Sequence, residues 1–269
     1  MKQRAIFEKK LIHMKTKLFA LSITMLSVVA SGQNVVPDIE SGKIFYEEKI
    51  KLDIKLEGDA VQNADMFPKE RKSEKILSFT NDATLFETGK DISEDMAQSP
   101  EEGVHIKMVT SGDNKIYIDF KNNKITEQRD FMNRMFLIEL EMPASDWKIT
   151  GNQKIILGYP CIEATKQDTA GAITKVWFAP SFPIKGGPAI FCNLPGMVLG
   201  VDVKDGERTY TAKSIVPAEK GELKIKKPSD GKKVTEEEYH KIVADKMKEM
   251  GIEDGGKGDG THVRIIIKH

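Results

Sequence analysis

The sequence predicts a mainly β protein, a curved antiparallel sheet or half-barrel meander followed by one C-terminal amphipathic α-helix. Three observations carry this expectation. From Lys43 to Glu57 apolar and charged residues alternate, the period-two pattern of a strand with one dry and one wet face. Between Lys75 and Val216 short β-prone runs are separated by turn residues, with no helical stretch among them. The one segment with helical spacing, Thr235–Met250, carries start and stop signals at its two ends.

In the first strand Ile44, Tyr46, Ile50, Leu52, Ile54 and Leu56 fall on one face, and Phe45 and Glu48 are the exceptions to the alternation. Its length predicts a strongly curved strand, since ordinary strands run about five or six residues. Asp59 to Lys72, polar and containing Pro68, reads as a loop, as does the acidic stretch Asp91 to Glu102. The runs Lys75–Thr80, Ala83–Glu87, Val104–Val109, Ile116–Phe120, Lys124–Arg129 and Met135–Leu140 form the meander, with turns at Asn81-Asp82, Ser111-Gly112-Asp113 and Asn122-Asn123. Next, Trp147–Thr150 leads through a Gly151-Asn152 turn into Lys154–Thr165, and Gly171 marks the hairpin to Ile173–Ala179. A strand is expected near Ala189–Cys192, and Met197–Val203 and Arg208–Val216 make a last hairpin across Asp205-Gly206. In the helix, Thr235 and Glu238 form a capping box and Val234 and Tyr239 a hydrophobic staple. Tyr239, Ile242, Val243, Met247 and Met250 share its apolar stripe, the face of a movable lid or of a docked core helix. Glu253–Gly260 reads as a linker and Val263–Ile267 as a β-prone tail that adds to a sheet edge.

The N-terminus predicts export. Lys15 and Lys17 precede an uncharged run, Leu18 to Ala30, that ends in small residues, as a secretory signal does. The run falls short of the roughly 20 apolar residues that span a bilayer. Cleavage is expected after Gly32, and Met14 reads as the natural start. Three segments follow: 1–32 as extension and signal peptide, 33–216 as the β domain, and 217–269 as linker, helix and tail. The 269-residue chain carries 41 basic and 41 acidic residues; removing 1–32 leaves 35 against 40, a net of −5. A mildly acidic, interspersed charge pattern excludes nucleic acid, which needs a clustered positive footprint. With no further long apolar run, the mature chain is expected not to span a membrane.

Chemical motifs are sparse. Cys161 and Cys192 lie 31 residues apart. In an oxidising compartment two cysteines favour an intramolecular disulfide, with two buried thiols as the alternative. Nothing in the spacing joins Cys161 to His105 as a thiol–imidazole pair. Glu236 and His240 stand four apart on the helix, a metal-compatible spacing without further ligands, and Asp259 and His262 are a weak cation pair at most. No nucleophile elbow or zinc-helix motif is present. These observations predict no metal, no cofactor and no catalytic residue.

The stretch from Asp146 to Val203 resembles a known family. Trp147–Thr150, Lys154–Ala164 with Gly158-Tyr159-Pro160-Cys161, Val176–Pro180 and above all Gly187–Val198 resemble the GLPGLI proteins. The segment that names that family corresponds to Asn193-Leu194-Pro195-Gly196-Met197-Val198, with Asn193, Met197 and Val198 departing from the pattern. Asn tolerates positive φ, so the first departure keeps a tight turn. Leu194-Pro195-Gly196-Met197 reads as a type II turn. The resemblance implies an exported protein of the periplasm or outer-membrane periphery of a diderm bacterium, and an outer-membrane protein as partner. The sequence-level expectation is therefore a non-catalytic envelope protein that binds an apolar ligand or such a partner. The alternative is a periplasmic hydrolase or metal-dependent enzyme with residues drawn from distant loops.

Overall fold

The computed structural model describes residues 39–55, 69–91, 105–108, 114–219, 221–249 and 264–268, leaving aside the side chains of 53–55, 90–91, 105–108 and 264–268. The described strands in chain order are β1 (Gly42–Lys51), β2 (Asp53–Lys55), β3 (Glu70–Phe79), β4 (Ala83–Asp91), β5 (His105–Met108), β6 (Lys115–Asp119), β7 (Lys124–Phe131), β8 (Arg134–Glu141), β9 (Lys148–Ile156), β10 (Tyr159–Gln167), β11 (Ile173–Ala179), β12 (Met197–Val203), β13 (Arg208–Pro217), β14 (Lys232–Val234) and β15 (Arg264–Lys268). The helix α1 covers Glu236–Glu249. Twelve strands form one open sheet in the order β14-β8-β7-β6-β4-β3-β1-β13-β12-β11-β10-β9; β2, β15 and β5 form a second, three-stranded sheet. The fold is mainly β with a C-terminal helix, as the alternation and the capping signals require.

Directly paired residues of neighbouring strands share a face, so the register sorts the side chains. One face carries Ile44, Leu77, Phe86, Ile116, Glu127 and Ile138 in one row across β1, β3, β4, β6, β7 and β8. This inner face holds the core: Ile44, Leu77, Phe79, Ile118, Ile125 and Ile138 are almost wholly buried. Its cover includes residues 180–196, between β11 and β12, which fold back over it. Phe182 meets Phe79 edge-on at 5.2 Å and stacks on Tyr159 at 5.6 Å. Cys192 packs on Ile118 and Ile125, and Phe191 lies 6.1 Å from the Tyr210 ring. The Tyr46 hydroxyl donates to the Val198 carbonyl at 2.6 Å, tying β1 to the start of β12, just after this cover.

Backbone approach locks the segment in place. A Cβ on Gly187 would overlap the Phe191 carbonyl, and one on Gly196 would overlap the Ala179 carbonyl. Asn193 takes φ 63°. The Gly196 amide donates to the Leu194 carbonyl at 2.8 Å, and Gly196 itself takes φ 154°. The turn is thus tighter than type II, which places its third residue near φ of about +80°. The expected strand near Ala189–Cys192 is absent because those residues spend their hydrogen bonds locally: Phe191 donates to Pro188 and Cys192 to Ile190.

Three other elements depart from the sequence reading. The long first strand is broken at Leu52, and β2 leaves for the second sheet. Gly151-Asn152 is no turn but part of a bulge in β9, where Gly151 takes φ 86° and the register with β10 shifts; the hairpin turn lies at Leu157-Gly158. The tail strand β15 sits in the middle of its sheet, parallel to β2 and antiparallel to β5, rather than at an edge. Most of the two expected loops, together with Met250 and the linker 253–260, lies outside the described residues.

Candidate functional site

The inner face changes character along its strands. Toward the end where residues 180–196 fold over, it is apolar. Toward the other end, where β1 finishes and β3, β8 and β13 begin, it turns polar and charged. Glu48, Ser73, Lys75, Thr88, Tyr210 and Arg208 meet there from β1, β3, β4 and β13. Glu48 Oε2 accepts from Ser73 Oγ at 2.9 Å and faces Lys75 Nζ at 3.4 Å; its other oxygen faces Arg208 Nε at 3.7 Å. Lys75 Nζ also donates to Thr88 Oγ1 at 3.1 Å.

Glu48 is only 6% exposed. Burial pushes its carboxyl up. The charges of Lys75 and Arg208 and hydrogen bonds from Tyr210 and Ser73 outweigh that, and hold the group below the ordinary carboxylate range. The Tyr210 hydroxyl is driven far the other way, by burial first and then by the Glu48 charge beside it. At neutral pH the cluster is therefore one carboxylate between two cations and three hydroxyls. Removing one member of such a buried set costs about 3–5 kcal/mol, because it strands the others. The sequence carried one sign of it: Glu48 is a charge on the dry face of an otherwise regular alternation.

A second charged pair lies on the same face under the helix. Glu127 Oε2 accepts from Arg129 Nε at 2.7 Å and from Nη2 at 2.5 Å, and the Tyr239 ring covers the guanidinium at 5.0 Å. Four inter-strand steps separate β1 from β7, about 19 Å along the sheet at the usual spacing.

The helix is capped as expected: the Thr235 amide donates to Glu238 Oε2 at 2.8 Å and the Glu238 amide to Thr235 Oγ1 at 3.1 Å. Tyr239 is the one side chain of Glu236–Glu249 that is buried; Ile242, Val243 and Met247 are half-buried. Tyr239 packs on Phe136 and Ile138, with Ile242 and Val243 beside it.

The other named residues do not assemble into chemistry. Cys161 and Cys192 are free, buried thiols, which corrects the expected disulfide. They serve different surroundings: the Cys161 thiol donates to the Tyr159 carbonyl at 3.4 Å, while Cys192 packs on Ile118 and Ile125. Burial pushes them to about 11 and about 12, so neither is a thiolate near neutral pH. His105 belongs to the small sheet and Cys161 to the large one. Glu236 and His240 approach to 3.8 Å, but among the described residues no cluster of three or more metal-ligating side chains exists.

Comparison with known proteins places the chain. Residues 63–242 match the family model described as N-glycanase peptide, N-terminal domain. The chain belongs to that family. This finding corrects the resemblance to the GLPGLI proteins, and with it the expectation of a non-catalytic binding protein, because the family is named for a glycan-cleaving hydrolase. Two solved crystal forms of PNGF-II resemble the chain at 18% identity, with TM-scores of 0.50 and 0.49. Each alignment covers 76% of this chain, and 33% and 32% of the two PNGF-II chains. An uncharacterized conserved protein from Thermus thermophilus aligns at 8% identity and a TM-score of 0.35, over 74% of this chain and 92% of that one. The first likeness supports the fold alone. The chain spans about a third of the length of the PNGF-II structures it matches. Among curated proteins none matches the sequence. The family assignment is consistent with the export read from residues 15–32. No helix among the described residues is long and apolar enough to cross a membrane.

Proposed function

We propose that this chain acts in the hydrolytic removal of N-linked glycans from glycoproteins, in the periplasm or at the outer-membrane periphery, with the charged half of the inner face engaging the saccharide. The match of residues 63–242 to the N-glycanase N-terminal domain carries this reading. The geometry supplies its chemistry. An N-linked glycan is an uncharged polyol bearing amide groups, so holding it takes donors and acceptors fixed on a rigid scaffold. Glu48 accepts, Lys75 and Arg208 donate, and Ser73, Thr88 and Tyr210 do both, each mounted on a paired strand.

Hydrolysis of the linkage amide adds water across the carbon–nitrogen bond: the hydroxyl stays on the carbonyl carbon, leaving aspartate where the glycosylated asparagine stood, and the proton goes to the nitrogen, which departs with the glycan as a glycosylamine. The developing oxyanion needs positive charge already in place, which Lys75 and Arg208 provide. A carboxyl held below its usual range is a weak base. Glu48 accordingly orients a water or a sugar hydroxyl and keeps the two cations in position, and does not store a proton.

The test is to incubate residues 33–269 with a purified N-glycopeptide and follow it by mass spectrometry. Release of the glycan with conversion of asparagine to aspartate is expected. Glu48→Gln, shown by circular dichroism to remain folded, should slow it by about 100-fold, the loss typical of one electrostatic stabiliser. A glycopeptide left intact by the wild-type chain would sink the proposal.

A further inference from the structure

Tyr210 stands where the apolar and charged ends of the inner face meet. It is 3% exposed. Its ring belongs to the apolar end: Phe86 of β4 meets it edge-on at 5.8 Å, and Phe191 of the cover lies tilted at 6.1 Å. Its hydroxyl belongs to the charged end, donating to the Glu48 carboxylate and accepting from the Arg208 guanidinium. Register puts it there, since Tyr210 pairs directly with Glu48 across β13 and β1. Phe191 is itself fixed. Its carbonyl is pressed so closely on Gly187 that a Cβ there would overlap it, and its amide donates to the Pro188 carbonyl at 3.1 Å. We infer that Tyr210 is a positioning residue for Glu48, and that the cover 180–196 sets the Glu48 carboxylate through the contact of Phe191 with the Tyr210 ring.

The partners of Glu48 differ in how firmly they hold it. Lys75 and Arg208 face it at 3.4 and 3.7 Å, past the range of a good hydrogen bond, on long stems that can follow a carboxylate that turns. Ser73 Oγ bonds it at 2.9 Å, but a serine hydroxyl rotates to suit its partner. The Tyr210 oxygen sits at the end of a rigid ring that Phe86 and Phe191 hold, so it stays put and the carboxylate must come to it. A functional side chain needs such a support, itself locked by packing. Ser73 and Lys75 of β3 and Arg208 and Tyr210 of β13 are the groups that hold Glu48 below the ordinary carboxylate range. Removing the Tyr210 hydroxyl therefore lets Glu48 take up its proton at a higher pH. The inference rests on the proposed glycan chemistry, in which Glu48 orients a water or a sugar hydroxyl, and adds what orients Glu48.

The experiment titrates the Glu48 carboxyl by carbon NMR, its signal assigned by its loss in Glu48→Gln, and measures glycopeptide release beside it. It compares the mature wild-type chain with Tyr210→Phe, Phe191→Ala and the double variant. Tyr210→Phe keeps the ring and both aromatic contacts and removes the hydroxyl alone. Glu48 should then titrate at a higher pH, and release should slow about tenfold with KM unchanged, the loss of one hydrogen bond to a charged group. Phe191→Ala should move the titration the same way, and should move it no further once Tyr210 is already Phe. If the alanine variant does not fold, Phe191→Leu removes the ring and keeps apolar bulk. An unmoved Glu48 titration in folded Tyr210→Phe would overturn the inference. So would a Phe191 variant that leaves Glu48 unmoved, or one whose effect adds in full to that of Tyr210→Phe. Titrations as expected without glycan release would leave this positioning standing while removing the proposed reaction; release in a chain whose Glu48 titration ignores Tyr210 would do the reverse.

Discussion

The two covers of the inner face are built on different principles. Residues 180–196 carry no regular secondary structure, yet Phe182, Ile184, Cys192 and Leu194 are buried to within a few per cent, and two glycines are pressed against backbone carbonyls. Helix α1 is regular, capped at its start and amphipathic, yet it buries one side chain. Regularity is therefore no guide to attachment here. The irregular segment is the core's other half, and the helix rests on Phe136, Ile138 and Arg129 through Tyr239. The apolar end supports the fold, and the polar end carries the charged groups that the proposed function assigns to the glycan.

Truncating the first cover should have the largest effect. Phe182→Ala removes a ring that touches both Phe79 and Tyr159 and should cost about 3–5 kcal/mol, read from urea denaturation. A cost near that of a surface substitution would mean the segment is not core. Gly196→Ala should come next, at about 2–3 kcal/mol, since the new methyl must displace the Ala179 backbone. On the helix, Ile242→Glu should cost about 1 kcal/mol or less, because Ile242 is half-buried and can turn its charge to water. Cooperative unfolding of that variant would make the helix core and erase the contrast.

The polar half has its own signature in acid. Glu48 is held below its unfolded value, so its contribution is fully present above the ordinary carboxylate pKa of about 4.3 and is lost as pH falls through the lower folded value. Acid titration of stability should show that loss in the wild type and a flatter curve in Glu48→Gln. An identical slope in both would mean that the cluster does not couple to folding. The smallest effect is expected from reductant: with both thiols free, dithiothreitol should leave the melting temperature unchanged, and a shift of several degrees would reinstate a disulfide.

Much of the sheet was legible because period-two alternation reports directly on a strand that is dry on one side. Strands β3, β6, β8, β11, β12 and β13 fall where short β-prone runs stand, and the capping box located the helix within a residue. Local pattern failed where tertiary contacts decide. The alternation runs on to Glu57, so nothing local marks the break at Leu52. Gly151 at positive φ serves a bulge as well as a turn. Residues 180–196 have no period at all, and only the sheet beneath them reveals that they are core. The charged half of the face was visible through Glu48 alone, because Lys75, Arg208 and Arg129 look like ordinary surface residues until the register turns them inward.

Hydrogen–deuterium exchange with and without N-glycopeptide tests the division of the face most directly. Added protection is expected at residues 46–50, 73–75, 127–129 and 208–210, with a change in exchange along 236–249 as the helix responds, and none across 180–196. Protection confined to 180–196, or none anywhere at saturating glycopeptide, would contradict the assignment of the charged end as the place where the glycan is held.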